Sequence, residues 1–273
     1  PQVVQEVKRM DLLTYLKNYE PYELVHFSGN TYTTRTHDSL KISNGKWMWW
    51  SRGIGGRSAL DYLIKVKDYS FLDADALNNE EYRVRLEGYL FPETYAFDKD
   101  ATADEVTRTF LDHFAEIYAK YEEDINASDY SLHELITLAS IVQYEAATSE
   151  DMQLIAGVFY NRLNSDMPLQ STVTVCYAIY DDLDRNDEDS WRTCEASTDI
   201  DSPYNTYLHS GLPVGPIVNP GEAAIDAVLH PQESDYYYFI ADINGVRGEA
   251  GKVYYSETYE QHQQLQEELQ LVF

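Results

Sequence analysis

Three helix starts are written into the middle of the chain, and they constrain its fold more than any other feature. Thr102-x-x-Glu105, Ser131-x-x-Glu134 and Thr148-x-x-Asp151 each set a hydroxyl three residues ahead of a carboxylate. In such a box the hydroxyl accepts from a free amide of the first turn, and the carboxylate reaches back to the start of the helix. Each start is followed by apolar residues at helical spacing. They are Val106, Phe110, Phe114 and Ile117, then Leu138, Ile141 and Val142, then Leu154, Ile155, Val158 and Phe159. Three stripes of this kind require a shared core to pack into.

The segment before them has a different character. Met10 to Lys17 has the spacing of a short helix, and Thr31–Thr34 and Leu40–Ser43 read as strands. Asn44-Gly45 marks a tight hairpin turn, because both central residues of that turn need positive φ. Lys46 to Trp50 is the return strand, Gly53-Ile54-Gly55-Gly56 a loop, and Ser58–Lys67 a helix with Leu60, Leu63 and Ile64 on one face. After the third capped helix come short strands and loops, with an acidic insertion over Asp181–Asp201. A short helix follows Pro220-Gly221 and must stop before Pro231. Tyr236–Ala241 is a strand and Ser256–Leu271 a closing amphipathic helix. The expected fold class is α+β: a small N-terminal hairpin-plus-helices domain over 1–72, a linker over 73–82 and a mixed α+β domain over 83–273.

Charge divides the chain in the same place. Residues 1–72 hold ten Lys and Arg against seven Asp and Glu, a net of +3. The remainder holds ten against forty, a net of −30. A domain so acidic repels phosphates, so nucleic acid is an improbable partner for the main domain, whereas residues 1–72 carry no such bar. The 24 tyrosines suit sugar-stacking surfaces as well as cores. Cys176 and Cys194 are the two cysteines; pairing in an exported protein and two unpaired thiols are both compatible with the sequence. The seven histidines are scattered without ligand spacing, so no metal site is expected. No signal peptide and no apolar run of about 18 residues is visible, so no membrane anchor is expected in this chain. It begins with Pro1 rather than Met.

Glu145 extends the stripe of Leu138, Ile141 and Val142 by one more helical step, onto the buried face. A carboxyl there loses hydration, which disfavours its charged form and suits a general acid. Glu134 is consumed in its cap, and Glu150 lies in the favourable first turn of the next helix. An acid on an apolar face more often pairs with a buried cation, and Arg162 is the candidate for that pairing.

Two resemblances extend these readings. Thr36-His37-Asp38-Ser39-Leu40-Lys41-Ile42 with Trp49-Trp50-Ser51-Arg52-Gly53-Ile54-Gly55-Gly56 resembles the zinc-finger-like N-terminal domain of Toprim primase-like proteins of mobile elements, over residues 5–72. The Cys and His ligands of its zinc-binding members are missing here, so the resemblance implies no metal. Arg52, Arg57 and the aromatic strand suit a nucleic-acid contact, and equally a small hairpin core with solvated arginines.

Residues 80–270 resemble the MltG/YceG-like endolytic murein transglycosylases. The motifs are Leu86-Glu87-Gly88-Tyr89-Leu90-Phe91-Pro92-Glu93-Thr94-Tyr95, Leu138 to Glu145, Val158 to Leu163, Met167 to Ser171, Tyr204 to Tyr207, Gly211 to Ile217 with Asn219-Pro220-Gly221, and Tyr238 to Asp242. The resemblance implies cleavage of peptidoglycan glycan strands between N-acetylmuramic acid and N-acetylglucosamine, leaving 1,6-anhydro ends, with Glu145 as general acid and base. It also implies Asn161, Gln170, Tyr204, Asn205 and Thr206 along the glycan cleft, and no cofactor. Cell-wall synthesis enzymes become candidate partners, and the setting extracytoplasmic, on the membrane anchor usual in the family. Relatives often carry an acid two positions before the glutamate, where Gln143 stands here. After Leu169-Gln170-Ser171 they continue with Asp, where Thr172 stands. The alternatives are a peptidoglycan-binding module of weak activity and a nucleic-acid-associated adaptor acting through residues 1–72.

Overall fold

The computed structural model describes residues 10–57, 59, 62, 79, 81–146, 148–183 and 191–271. The chain is α+β and forms two compact units, residues 1–120 and 121–273. The expected helix over Ser58–Lys67, the linker over 73–82 and part of the acidic insertion lie largely outside the described residues.

In the first unit, helix α1 (Leu12–Tyr19) is capped by Asp11, whose side chain accepts from the Thr14 amide. Five strands follow as an antiparallel meander: β1 (Leu24–Ser28), β2 (Thr31–Thr34), β3 (Leu40–Ser43), β4 (Lys46–Trp49) and β5 (Ile54–Gly56). The β3–β4 turn is the predicted one, with Asn44 at φ 52° and Gly45 at φ 68°. β1 was not anticipated, and β5 replaces an expected loop. The glycines conceal β5: a Cβ on Gly55 would stand 2.6 Å from the Trp47 carbonyl oxygen, so the strand approaches β4 too closely for any side chain. Leu12, Tyr15, Leu16, Leu40, Ile42 and Trp47 form the core of this sheet and helix. Arg108, on the long helix α2 (Ala103–Ala127), pairs with buried Glu20 at 2.6 Å.

The second unit is built on α3 (Leu132–Glu145), α4 (Ser149–Asn164) and α7 (Glu222–Leu229), which pack on one another. Both expected caps are present: Ser131 and Glu134 exchange hydrogen bonds at the start of α3, and Thr148 caps α4 through the Asp151 amide. Leu135 to Val142 are buried without interruption, so α3 is the central element. Between α4 and α7 lie two short helices, α5 (Thr172–Ala178) and α6 (Trp191–Ala196), where strands and loops were expected. Thr172-Val173-Thr174-Val175 has strand propensity, but Thr174 Oγ1 donates to the Ser171 carbonyl at 2.7 Å and closes a helical turn. Cys176 and Cys194 pair in a disulfide that ties α5 to α6. β6 (Tyr238–Ala241) and β7 (Val253–Ser256) form a ribbon, and α8 (Tyr259–Glu268) starts at a capping box made by Thr258 and Gln261.

Candidate active site

Glu145 is the last residue of α3, one helical step beyond Leu138, Ile141 and Val142, which are all buried. Its edge reaches a cavity of about 410 Å³, while protein atoms crowd the carboxyl and strip its water. That burial raises the carboxyl above its ordinary value, against a smaller downward pull from Ser171. The Ser171 hydroxyl donates to Glu145 Oε1 at 2.5 Å, and no other hydrogen bond to this carboxyl occurs among the described residues. α3 has no basic residue in its last turn, so the negative end of its dipole also weighs against a charged Glu145.

Arg162 does not neutralise Glu145, contrary to the pairing considered from the sequence. Its guanidinium is spent on backbone: Nε donates to the Tyr237 carbonyl at 2.7 Å, and Nη1 to the carbonyls of Pro168 and Leu169 at 3.0 and 2.9 Å. It thereby ties α4 to the loop before α5 and to the residue that leads into β6. No ion pair to Glu145 exists among the described residues, which leaves the carboxyl governed by burial.

Of the other predicted site residues, the structure brings Gln170 to the cavity with Glu145. Gln170 is held at φ 50°, a left-handed conformation that costs about 1 kcal/mol or more in a residue other than glycine. Its amide donates to the Thr206 carbonyl at 3.1 Å, and Arg162 stands 3.5 Å from its Oε1. Asn161, Tyr204, Asn205 and Thr206 lie off the cavity. Asn161 donates to the carbonyls of Ser234 and Tyr236 at 2.8 and 2.9 Å. Tyr204 is buried against Tyr177, with ring centroids 4.8 Å apart. Asn205 is fully buried, donating to the Thr198 and Ile200 carbonyls and accepting from the Tyr207 amide. Thr206 is buried too, and its Oγ1 accepts from the Ser171 amide at 3.0 Å. Thr206 thus anchors the loop that presents Ser171 to the acid, and Asn205 shapes the segment that carries Thr206.

Sequence reading did not single out Ser171, Tyr207, Tyr238, Tyr259 or His262, all of which line the cavity. Ser171 and Tyr207 stand inside recognised motifs, but nothing in spacing shows that a serine 26 residues away meets Glu145. Thr172, where the family resemblance implies Asp, shares a hydrogen bond of 2.9 Å with the Tyr207 hydroxyl. Among the described residues lining the cavity, Glu145 is the one carboxylate. No group of residues fit to hold a metal ion occurs among the described residues.

The fold and this site define a class: an α+β protein that keeps a desolvated acid at a helix end, facing a cavity lined by tyrosines. The model of the YceG-like family matches residues 6–268, and the chain belongs to that family. The match takes in the N-terminal sheet as well as the cavity. An endolytic murein transglycosylase of Streptococcus pneumoniae is 38% identical over 212 residues, covering 74% of this chain and 37% of the relative. One from Bacillus subtilis is 37% identical over 216 residues, covering 75% of this chain and 56% of the relative. The chain therefore spans roughly a third to a little over half the length of these curated relatives. The crystal structure of a YceG-like protein of Listeria monocytogenes superposes with a TM-score of 0.63 at 37% identity, covering 73% of this chain and 62% of that one.

Proposed function

We propose that the protein is a lytic transglycosylase that cuts peptidoglycan glycan strands internally, with Glu145 as general acid and base. The observation that carries this reading is the single carboxylate of the cavity, raised by burial and unpaired with any cation among the described residues. Glycosidases that add water commonly use two carboxylates, one as acid and one as base or nucleophile. A lytic transglycosylase works with one. Protonated Glu145 gives its proton to the glycosidic oxygen, the bond to C1 of N-acetylmuramic acid breaks, and N-acetylglucosamine leaves with a free hydroxyl. The C6 hydroxyl of the same muramic acid attacks C1, and its proton passes to Glu145. A 1,6-anhydro end forms, no water is consumed and the acid is restored.

Ser171 holds Oε1 and leaves Oε2 uncommitted for this transfer. The relatives named as endolytic murein transglycosylases support the same substrate. Gln170 is the predicted cleft residue placed to touch the strand; Asn205 and Thr206 act through Ser171. The reading assigns the glycan chemistry to residues 83–273, of which 83–120 share the first compact unit with 1–72. Its setting is extracytoplasmic, which the disulfide also favours, since such bonds persist in oxidising compartments. No helix of the described residues is long and apolar enough to cross a membrane.

A second reading, a module that holds glycan without cutting it, is favoured by Thr172 in place of the family's Asp. Digestion of purified peptidoglycan by the protein and by Glu145→Gln, with the muropeptides weighed, separates the two. Anhydro ends from the wild type alone support cleavage. Ends heavier by one water, or equal products from both proteins, refute it.

A further inference from the structure

Buried polar atoms in folded proteins nearly always have a partner, so an exception calls for a cause. His262, in the first turns of α8, is such an exception: its Nδ1 is buried and has no hydrogen-bond partner. The ring is fixed in place, stacked on Tyr238 with centroids 5.2 Å apart and planes inclined by 25°. The Arg162 guanidinium lies over the same Tyr238 ring, 4.9 Å from its centroid. His262 lines the Glu145 cavity and is half-buried as a residue, so the nitrogen not sealed away, Nε2, is the one left to the cavity.

Several other polar groups of that wall are already committed, while Gln170, Tyr238, Tyr259 and Gln266 also line it. The Ser171 hydroxyl is given to Glu145, those of Thr172 and Tyr207 to each other, and Arg162 to backbone carbonyls. Burial, and behind it the charge of Arg162, pushes His262 below its ordinary value, so the ring is neutral. A neutral imidazole carries one N–H. Placing it on buried Nδ1 would seal a donor away without a partner while the Arg162 charge acts on the ring; placing it on Nε2 leaves only a bare lone pair buried and a donor for the cavity.

We propose that His262 is a glycan-binding residue whose Nε2–H donates to the carbonyl oxygen of an N-acetyl group of the strand bound beside Glu145. The proposal rests on the glycan reading above. The N-acetyl carbonyl is the strongest acceptor on a neutral hexosamine, and a donor held by ring stacking meets it without loss of rotamer freedom. His262 thereby selects acetylated sugar at the position next to the acid.

The test uses the Glu145→Gln protein, which binds without cutting, with chitotetraose and its fully deacetylated counterpart as probes in titration calorimetry. His262→Phe keeps the ring against Tyr238 and removes the donor; His262→Gln restores an amide N–H at the Nε2 position. His262→Phe is expected to weaken chitotetraose about 3- to 10-fold, as for one neutral hydrogen bond, and to change the deacetylated probe by less than about 2-fold. His262→Gln recovers most of the loss. Nitrogen NMR of the wild type is expected to show Nε2 protonated and Nδ1 bare. The proposal is overturned by the opposite tautomer, by absence of chitotetraose binding, by equal losses on both probes, or by a Gln variant no better than Phe. These results separate from the cleavage reading: a wild type that yields no anhydro ends but shows this binding pattern refutes cleavage and keeps His262. Anhydro ends with unchanged binding by His262→Phe do the reverse.

Discussion

Removing the Arg162 guanidinium tests whether it is the strut of the cavity. In Arg162→Met, the carbonyls of Tyr237, Pro168 and Leu169 lose donors at 2.7, 3.0 and 2.9 Å. A lost hydrogen bond at a buried acceptor costs about 1 kcal/mol net, more when the donor is charged. The relief of no longer burying a cation offsets the surplus from charge. The balance is about 3 kcal/mol of lost stability. Arg162→Lys offers one nitrogen where Arg162 uses two, keeps at most the Pro168 and Leu169 carbonyls that Nη1 serves, and should lose about 1 kcal/mol or more. Urea unfolding followed by circular dichroism measures both losses, with the slope of the transition unchanged. The same loop carries Ser171, so Arg162→Met should also weaken glycan binding in the Glu145→Gln background. Two variants within about 0.5 kcal/mol of the parent would refute the strut, since surface changes fall in that range.

The remaining expectations bear on the disulfide, the acid and one helix contact. Replacing both Cys176 and Cys194 by Ser opens a loop of sequence separation 18, which in the chain-entropy account costs about 3 kcal/mol. Calorimetry with and without reductant should show a large drop in Tm for the parent and none for the double variant. Glu145 is raised in the folded state above its ordinary 4.5, so the folded protein binds its proton more tightly than the unfolded chain. Stability is therefore lost as pH rises from about 4.5 through the folded value. Glu145→Gln should accordingly be the more stable protein at pH 8, with the gain vanishing below pH 4 in paired urea titrations. Gly157→Ala, on α4, would put a Cβ 2.3 Å from the Gln232 carbonyl oxygen. Backbone has to move, at a cost of about 2 kcal/mol or more by urea unfolding, where Ala at an open helical site would stabilise.

The parts of the fold legible in the sequence are those fixed by short-range chemistry. The caps at Ser131 and Thr148 and the turn at Asn44-Gly45 depend on residues within four positions of one another, and each stands where it was expected. The stop of α7 at Leu229, ahead of Pro231, is of the same kind. The misses depend on distant neighbours. β5 exists because β4 lies against it, and its glycines look like a loop until Trp47 is seen beside Gly55. The turns of α5 exist because Thr174 bonds to Ser171 and the disulfide holds the helix, while its β-branched run argues for a strand. Whether Cys176 and Cys194 would meet was equally a question of tertiary distance.

The site divides along the same line, and positions 143 and 145 show how. Both stand near the end of α3, and the family resemblance implies an acid at the first in many relatives. Gln143 Oε1 accepts from the Gly221 amide at 2.9 Å, and Gly221 is the N-cap of α7. A carboxylate at 143 would sit at the positive end of that helix, accept the same amide and be held charged. Glu145, two residues on, lies at the negative end of its own helix and in a desolvated cavity, where charge is disfavoured. Neighbouring acids in these two environments would have opposite tendencies, one to stay charged as a cap and one to hold its proton. The helix phase marked Glu145 as buried; the partner that makes position 143 a cap comes from 78 residues further along the chain. Loss of an acid at 143 therefore removes charge from a helix cap and takes nothing from the proton chemistry proposed for Glu145.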